Sequence, residues 1–510
     1  MDMKTIKKLT ALMLSLVMML ALGVTAFAEA NGNASTGTTY TITAPDTNHQ
    51  YEIYQIFTGD LSTDKTVLSN VKWGINGKGT TGQAVDEAIL SELKGKNSSS
   101  DKEILAVVEK YVDLSSEPVK TIANGAIYNA AAGYYLIKDK DGSVSGKDSY
   151  TTYIVKVVDN VKITPKSAIP NFEKKIKDTN DTTGETSDWQ DSADYDIGDQ
   201  VPFKLKGTVA ANYDQYTHYY FAFHDKEESG FTFNQDSVAV FVDDKQIVNG
   251  FAVLTGESKV DSECTFEVVF EDLKKIDDVK AGSEITVTYT SELNSTANIG
   301  SEGNVNKAKL VFSNNPNDTQ FGRPEKPGET QWDNVIAFTY KVVVNKYANS
   351  VDPDDLSKNK LAGAEFTLEK VLNDGSKKTI TVVNSMDGTS FTFKGLDDGD
   401  YILTETKTPN EYNTIAPITF TVTADHAITW EGEARNVILT SLTGNTTSGE
   451  ITFTANEDKS ELATNVINKK GSTLPSTGGM GTTIFYVVGT ILVLAAAVLL
   501  ITKKRMHADK

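Results

Sequence analysis

The 510-residue chain has a single cysteine, Cys264, and only five histidines. One thiol closes no disulfide within a chain, so covalent bracing must come from other side chains, even in a compartment that permits disulfides. The histidines His49, His218, His224, His426 and His507 fall in no metal-ligand spacing and no nucleophile-elbow context. No metal and no cofactor is therefore expected. Basic residues are the minority: 49 Lys and Arg stand against 69 Asp and Glu, a formal net charge of −20. Such a surface argues against nucleic acid as a partner. Long apolar runs are absent except at the two ends. With 39% hydrophobic and 23% charged residues, the bulk is ordinary globular protein in composition.

The ends are of a different kind. Lys4, Lys7 and Lys8 precede an apolar run over residues 9–24, and Ala26-Phe27-Ala28 places small residues where a signal peptidase reads. Residues 1–28 are read as a secretory signal peptide cut after Ala28. Near the other end residues 483–501 are almost wholly apolar, long enough for a bilayer-spanning helix. Lys503, Lys504 and Arg505 follow at once and should stay cytoplasmic. The precursor is thus exported and held at its C-terminal end.

Between the ends, three regions read as mainly β. Residues 31–165 contain alternating runs around Tyr51 and Tyr153. Ile104, Val107, Val108 and Tyr111 follow helical spacing between them, so this region has inserted helices. Residues 166–335 carry regular short strands, some separated by turn pairs such as Asn249-Gly250, with a Pro- and Asn-rich loop over 314–330. Residues 336–470 form a smaller all-β module. Regular strands with few helices predict tandem immunoglobulin-like β-sandwiches. Small domains of this kind leave little room for a catalytic cleft, and no enzymatic activity is expected.

Leu474-Pro475-Ser476-Thr477-Gly478, the apolar span and the basic tail follow one another over 474–510. This tripartite order resembles the cell-wall sorting signal of Gram-positive surface proteins. The resemblance implies that a sortase cuts between Thr477 and Gly478, holds Thr477 as an acyl-enzyme and passes it to an amine. Peptidoglycan supplies that amine in a monomeric wall-anchored adhesin. A lysine of an identical subunit supplies it in a polymer. Val161-Lys162-Ile163-Thr164-Pro165-Lys166-Ser167 resembles the motif of shaft pilins, with Thr164 and Ser167 departing from the usual Tyr and Asn. Strand parity puts Val161, Ile163 and Pro165 on one face and Lys166 on the other, outward, face. Lys166 is the expected acceptor.

The second region opens with Phe172-Glu173-Lys174-Lys175-Ile176 and continues through Trp189-Gln190-Asp191 to Asp199. It resembles the fimbrial isopeptide-forming domain. The third has Lys346, then Gly363-Ala364-Glu365-Phe366, then Tyr401-Ile402-Leu403-Thr404-Glu405. It resembles the Cna protein B-type domain. The two domains together correspond to the Cna A- and B-type sandwiches of a sortase-assembled backbone pilin. That resemblance implies sortase, identical subunits, minor pilins, peptidoglycan and host surface ligands as partners. A minor pilin is the nearer alternative to the shaft.

Such families join a Lys amine to an Asn carboxamide beside an Asp or Glu. Burial removes the lysine's proton and keeps the carboxyl protonated, so all three must face the core. In the second region Lys174 shares a face with Phe172 and Ile176, and Asp225 with Phe221 and Phe223. Asn306 shares one with Ala308, Leu310 and Phe312, and Asn315 is its rival. In the third, Lys346 shares a face with Tyr340, Val342 and Val344, and Glu405 with Tyr401 and Leu403; Asn468 is the family-favoured partner, Asn465 its rival. The first region has Lys138 where the acid would fall, and no crosslink is expected there.

Overall fold

The computed structural model describes residues 39–47, 49–63, 68–94, 101–144, 146, 148–150, 152–157, 159–163, 168–426, 428–431, 434–436, 439–471 and 480–506. The signal segment 1–28, Lys166 and the pentapeptide 474–478 lie outside these residues.

Alternation decides the architecture. In Glu284–Leu293 every second side chain is buried, Ile285, Val287, Tyr289, Ser291 and Leu293, while the others face outward. Tyr340–Ala348 buries Tyr340, Val342, Val344 and Lys346 by the same rule. A strand with one apolar face needs a second sheet to cover it, and each stretch of chain supplies two sheets.

The N-terminal stretch pairs Gln50–Leu61 with Gly133–Asp139, and Gly133–Asp139 with Thr152–Val157. A three-stranded sheet around Thr39–Thr43 lies beside them. Two helices, Glu87–Lys94 and Asp101–Val108, are inserted, and their Leu93, Ile104, Val107 and Val108 pack into one of its two cores.

The middle stretch is a sandwich of a five-stranded and a seven-stranded sheet. Phe172–Ile176 is the edge of the first, beside Gln200–Thr208. Phe221–Glu227 lies in the second, between Phe266–Phe270 and Asn304–Phe312. The sequence reading ends this region at residue 335, but Asp333–Phe338 pairs throughout with Asn304–Phe312 and Ser192–Asp194. One buried residue, Thr339, then separates it from Tyr340–Ala348 in the next sandwich.

The last sandwich has two five-stranded sheets. Its first strand, Tyr340–Ala348, pairs in parallel with its last, Glu461–Asn468, from Lys341↔Glu461 to Ala348↔Asn468. Gly399–Lys407 lies in the facing sheet, beside Glu365–Val371 and Ile418–His426.

The middle and last sandwiches meet at a charged junction. Lys370 is fully buried and contacts Asp397; its Nζ lies 3.5 Å from Asp196 and 3.6 Å from Asp181. Lys378 reaches Asp196 at 3.0 Å and Asp199 at 2.7 Å. The backbone N–H of Asp397 donates to Asp196 at 2.9 Å, and that of Asp398 to Asp194 at 3.1 Å.

A helix, Met480–Met506, closes the described chain. Its apolar part, Ile484–Lys504, has 21 residues. At 1.5 Å per residue it extends about 31 Å, the thickness of a bilayer's hydrocarbon core.

Candidate functional site: two buried lysine clusters

In the middle sandwich the edge strand Phe172–Ile176 turns Lys174 inward, because Ile176 and Lys174 share its buried face. Lys174, Asp225 and Asn306 are all completely buried. Lys174 Nζ lies 2.6 Å from Asp225 Oδ2 and 2.7 Å from Tyr289 Oη. The Tyr289 hydroxyl donates to Asp225 Oδ2 at 2.8 Å, and Asn306 Nδ2 donates to Tyr289 Oη at 2.8 Å. The amine and the carboxamide therefore meet on one phenol oxygen. They come from facing sheets, Lys174 from the five-stranded sheet and Asn306 from the seven-stranded one.

The shell is aromatic: Lys174 Nζ stands 5.1 Å from the centre of the Phe203 ring and 5.3 Å from that of Tyr289. Burial lowers the Lys174 pKa despite the Asp225 charge, and burial raises that of Asp225 despite Lys174. Both shifts favour a neutral amine beside a neutral acid.

Two members of this cluster go beyond the sequence reading. Glu227 stands directly opposite Asn306 in the ladder and accepts from its Nδ2 at 3.2 Å. Burial, then the Asp225 charge, pushes Glu227 up to about 8. Its signal was parity, since Phe221, Phe223, Asp225 and Glu227 share one face of a strand. Tyr289 has the same kind of signal beside Ile285 and Val287. Asn315, the rival to Asn306, is part-exposed in a turn, where its Oδ1 accepts from the Asn317 N–H.

In the last sandwich Lys346 and Asn468 are completely buried, and Glu405 is nearly so. Lys346 Nζ contacts Asn468 Oδ1. Asn468 Nδ2 donates to both Glu405 oxygens, at 2.8 and 3.0 Å, and Lys346 Nζ lies 3.4 Å from Glu405 Oε1. Thr408 Oγ1 and the Ile415 N–H also donate to Glu405 Oε2, at 3.1 and 3.3 Å. Phe366 covers the amine at 5.6 Å, and burial lowers the Lys346 pKa against the Glu405 charge. Asn465 is exposed; Leu462, Thr464, Val466 and Asn468 alternate inward. That alternation turns Asn468 inward and Asn465 outward, and the family resemblance favours Asn468.

Two other buried lysines are built differently. Lys138 lies 3.0 Å from Glu52 and 3.3 Å from Asp141. Burial opposes the Lys370 charge, but Asp397, Asp196 and Asp181 outweigh it and raise the pKa above the ordinary lysine value. A lysine so surrounded stays an ammonium and is no nucleophile.

Residues 350–435 match the family model of the SpaA domain, described as a prealbumin-like fold domain, and residues 467–507 match that of the LPXTG cell wall anchor motif. The Trypsin-resistant surface T6 protein of Streptococcus pyogenes serotype M6 is 24% identical over 399 residues, 67% of this chain and 70% of that protein. The solved structure of the T6 backbone pilin of the same serotype has a modular three-domain fold. It superposes with a TM-score of 0.51 at 19% identity, covering 86% of this chain and all of that one.

Sorting signal, membrane helix and tandem sandwiches define the class: a cell-wall-anchored surface protein of Gram-positive type, membrane-held as a precursor. Within that class the chain shares the fold of the T6 backbone pilin.

Proposed function

We propose that sortase joins Thr477 of one subunit to Lys166 of the next, and that two internal amides stiffen each subunit. The observation that carries the internal chemistry is convergence: in both sandwiches a lysine, a carboxyl and an asparagine meet without solvent. In the middle one, neutral Lys174 attacks the Asn306 carbonyl carbon. The protonated Asp225 carboxyl polarises that carbonyl and relays the amine's proton to the departing nitrogen. Lys346, Glu405 and Asn468 play the same parts in the last. Each reaction forms one C–N bond, breaks another and releases ammonia.

Acyl transfer to Lys166 follows the same atom balance with sortase as catalyst. The Thr477 thioester carbon passes to the Lys166 nitrogen, and the sortase thiol is regenerated. Peptidoglycan takes the last acyl group and fixes the fibre to the wall. Minor pilins and host surface ligands complete the partners this reading implies.

Immunoblots of wall extracts test the polymer. A ladder of covalent multimers is expected, collapsing to monomer in Lys166→Ala while monomer still reaches the wall. A single band in the native strain, or a ladder that survives Lys166→Ala, refutes the assignment.

A further inference from the structure

The one cysteine is not isolated in the fold. Cys264 sits in the turn before Phe266–Phe270, where its N–H donates to the Asp261 carbonyl at 3.2 Å. That turn presents Asp261 and Cys264 on one side. His224 comes to them from the neighbouring strand, where it stands directly opposite Glu267. His224 Nδ1 lies 3.8 Å from Cys264 Sγ, 3.9 Å from Asp261 Oδ2 and 3.5 Å from Glu267 Oε1. The ligand atoms of His224, Asp261 and Cys264 all lie within 4.8 Å of one another.

His224 is 2% exposed, and its Nε2 has no hydrogen-bond partner among the described residues. Its Nδ1 meets Glu267 Oε1 only at 3.5 Å and Cys264 Sγ at 3.8 Å. A buried imidazole with one nitrogen unsatisfied and the other held only by a long sulfur contact is uncommon. Asp261 Oδ1 is occupied by the Glu263 N–H at 3.0 Å, which leaves Oδ2 turned to the imidazole. Glu267 fixes the turn by accepting from the Val260 and Asp261 N–H groups, at 3.0 and 2.6 Å.

We propose that His224 Nδ1, Asp261 Oδ2 and Cys264 Sγ bind one zinc ion, with Glu267 Oε1 beside the fourth position. Bonds of about 2.0–2.3 Å in a tetrahedral site leave neighbouring ligand atoms about 3.3–3.8 Å apart, close to the spacings found. Imidazole, thiolate and carboxylate are zinc's usual donors. A thiolate and two carboxylates favour a divalent cation. Lys309, whose Nζ is 3.9 Å from Asp261, is engaged by Glu329 at 2.8 Å, and Lys259 Nζ contacts the Cys264 carbonyl. Binding releases the thiol proton to solvent. The ion would clip the strand that carries Asp225 to the turn beside it, on the face opposite the lysine cluster.

The test is a titration of the full-length chain in detergent, stripped with chelator, using cobalt(II) and then zinc(II). One equivalent of cobalt should give the visible bands of a tetrahedral ion and a near-ultraviolet thiolate charge-transfer band, both lost on adding one equivalent of zinc. Cys264→Ser should lose the charge-transfer band. Asp261→Asn, at a part-exposed turn that tolerates change, should weaken binding at least tenfold with unchanged near-ultraviolet dichroism. Absence of both bands in the folded native chain, or their persistence in Cys264→Ser, overturns the proposal.

Discussion

Lys346 and Asn468 face each other across a parallel pair made of the first and last strands of one sandwich, with Asn468 two residues beyond the register partner of Lys346. Tension on the two ends of this domain loads that pair in shear. An amide between these side chains would hand the load from one strand to the other before the intervening chain feels it.

Removing the acid should stop each reaction while leaving the reactants in place. Glu405→Ala and Asp225→Ala should each retain one ammonia more than the parent in intact mass. By analogy with a disulfide, each should lose about 2–4 kcal/mol of unfolding free energy. Thermal denaturation with mass measurement on the same samples checks both. A variant that still loses both ammonia molecules would remove the carboxyl from the mechanism.

With both amides formed, force bypasses residues 175–305 and 347–467. Of the two folded sandwiches, only 307–345 then lies in the load path between crosslinks. Single-molecule pulling should release no more than roughly 130 Å from them, the extended length of that segment. Longer extensions would show that one amide is missing.

The junction lysine should behave as a charge and not as a nucleophile. Lys370→Met leaves buried Asp397 without its counter-ion, and breaking a buried pair from one side costs about 3–5 kcal/mol. Native Lys370 should appear unmodified in peptide maps. A branched peptide at Lys370 would contradict the assignment.

The N-terminal sandwich should be more stable in mild acid. His49 Nδ1 and Nε2 lie 2.9 Å from Asp139 and 2.7 Å from Asp148. Burial opposes its charge, but the Asp148 and Asp139 bonds and charges outweigh it and raise its pKa. A raised folded-state pKa gives stability that is complete below the unfolded value of about 6.5 and lost as pH rises through the folded value. Hydrogen exchange of residues around His49 should be slower at pH about 5.5 than expected from chemical rates alone, relative to pH about 8.5. His49→Gln should abolish the difference.

Much of this was legible in the sequence because strand parity is a strong signal. Lys174, Asp225, Asn306, Lys346 and Glu405 were placed inward by counting alternate residues, and they are inward. Glu227 and Tyr289 carry the same signal, but nothing local ties a phenol or a second acid to this chemistry. The charged junction was not readable. Asp196 and Lys370 are 174 positions apart, and only the stacking of two sandwiches brings them together. The His224–Asp261–Cys264 group was hidden for the same reason: a strand pairing closes a gap that ligand spacing along the chain does not show. Between the middle and last sandwiches, buried residues run through Asp333–Phe338 and Tyr340–Ala348 without a polar linker, and alternate side chains of the first strand pack into each core.

Intact mass and peptide mapping of the native protein test the central claim most directly. A deficit of two ammonia molecules is expected, with branched peptides joining Lys174 to Asn306 and Lys346 to Asn468. A full-mass chain in which both lysines are recovered with free side chains would contradict it.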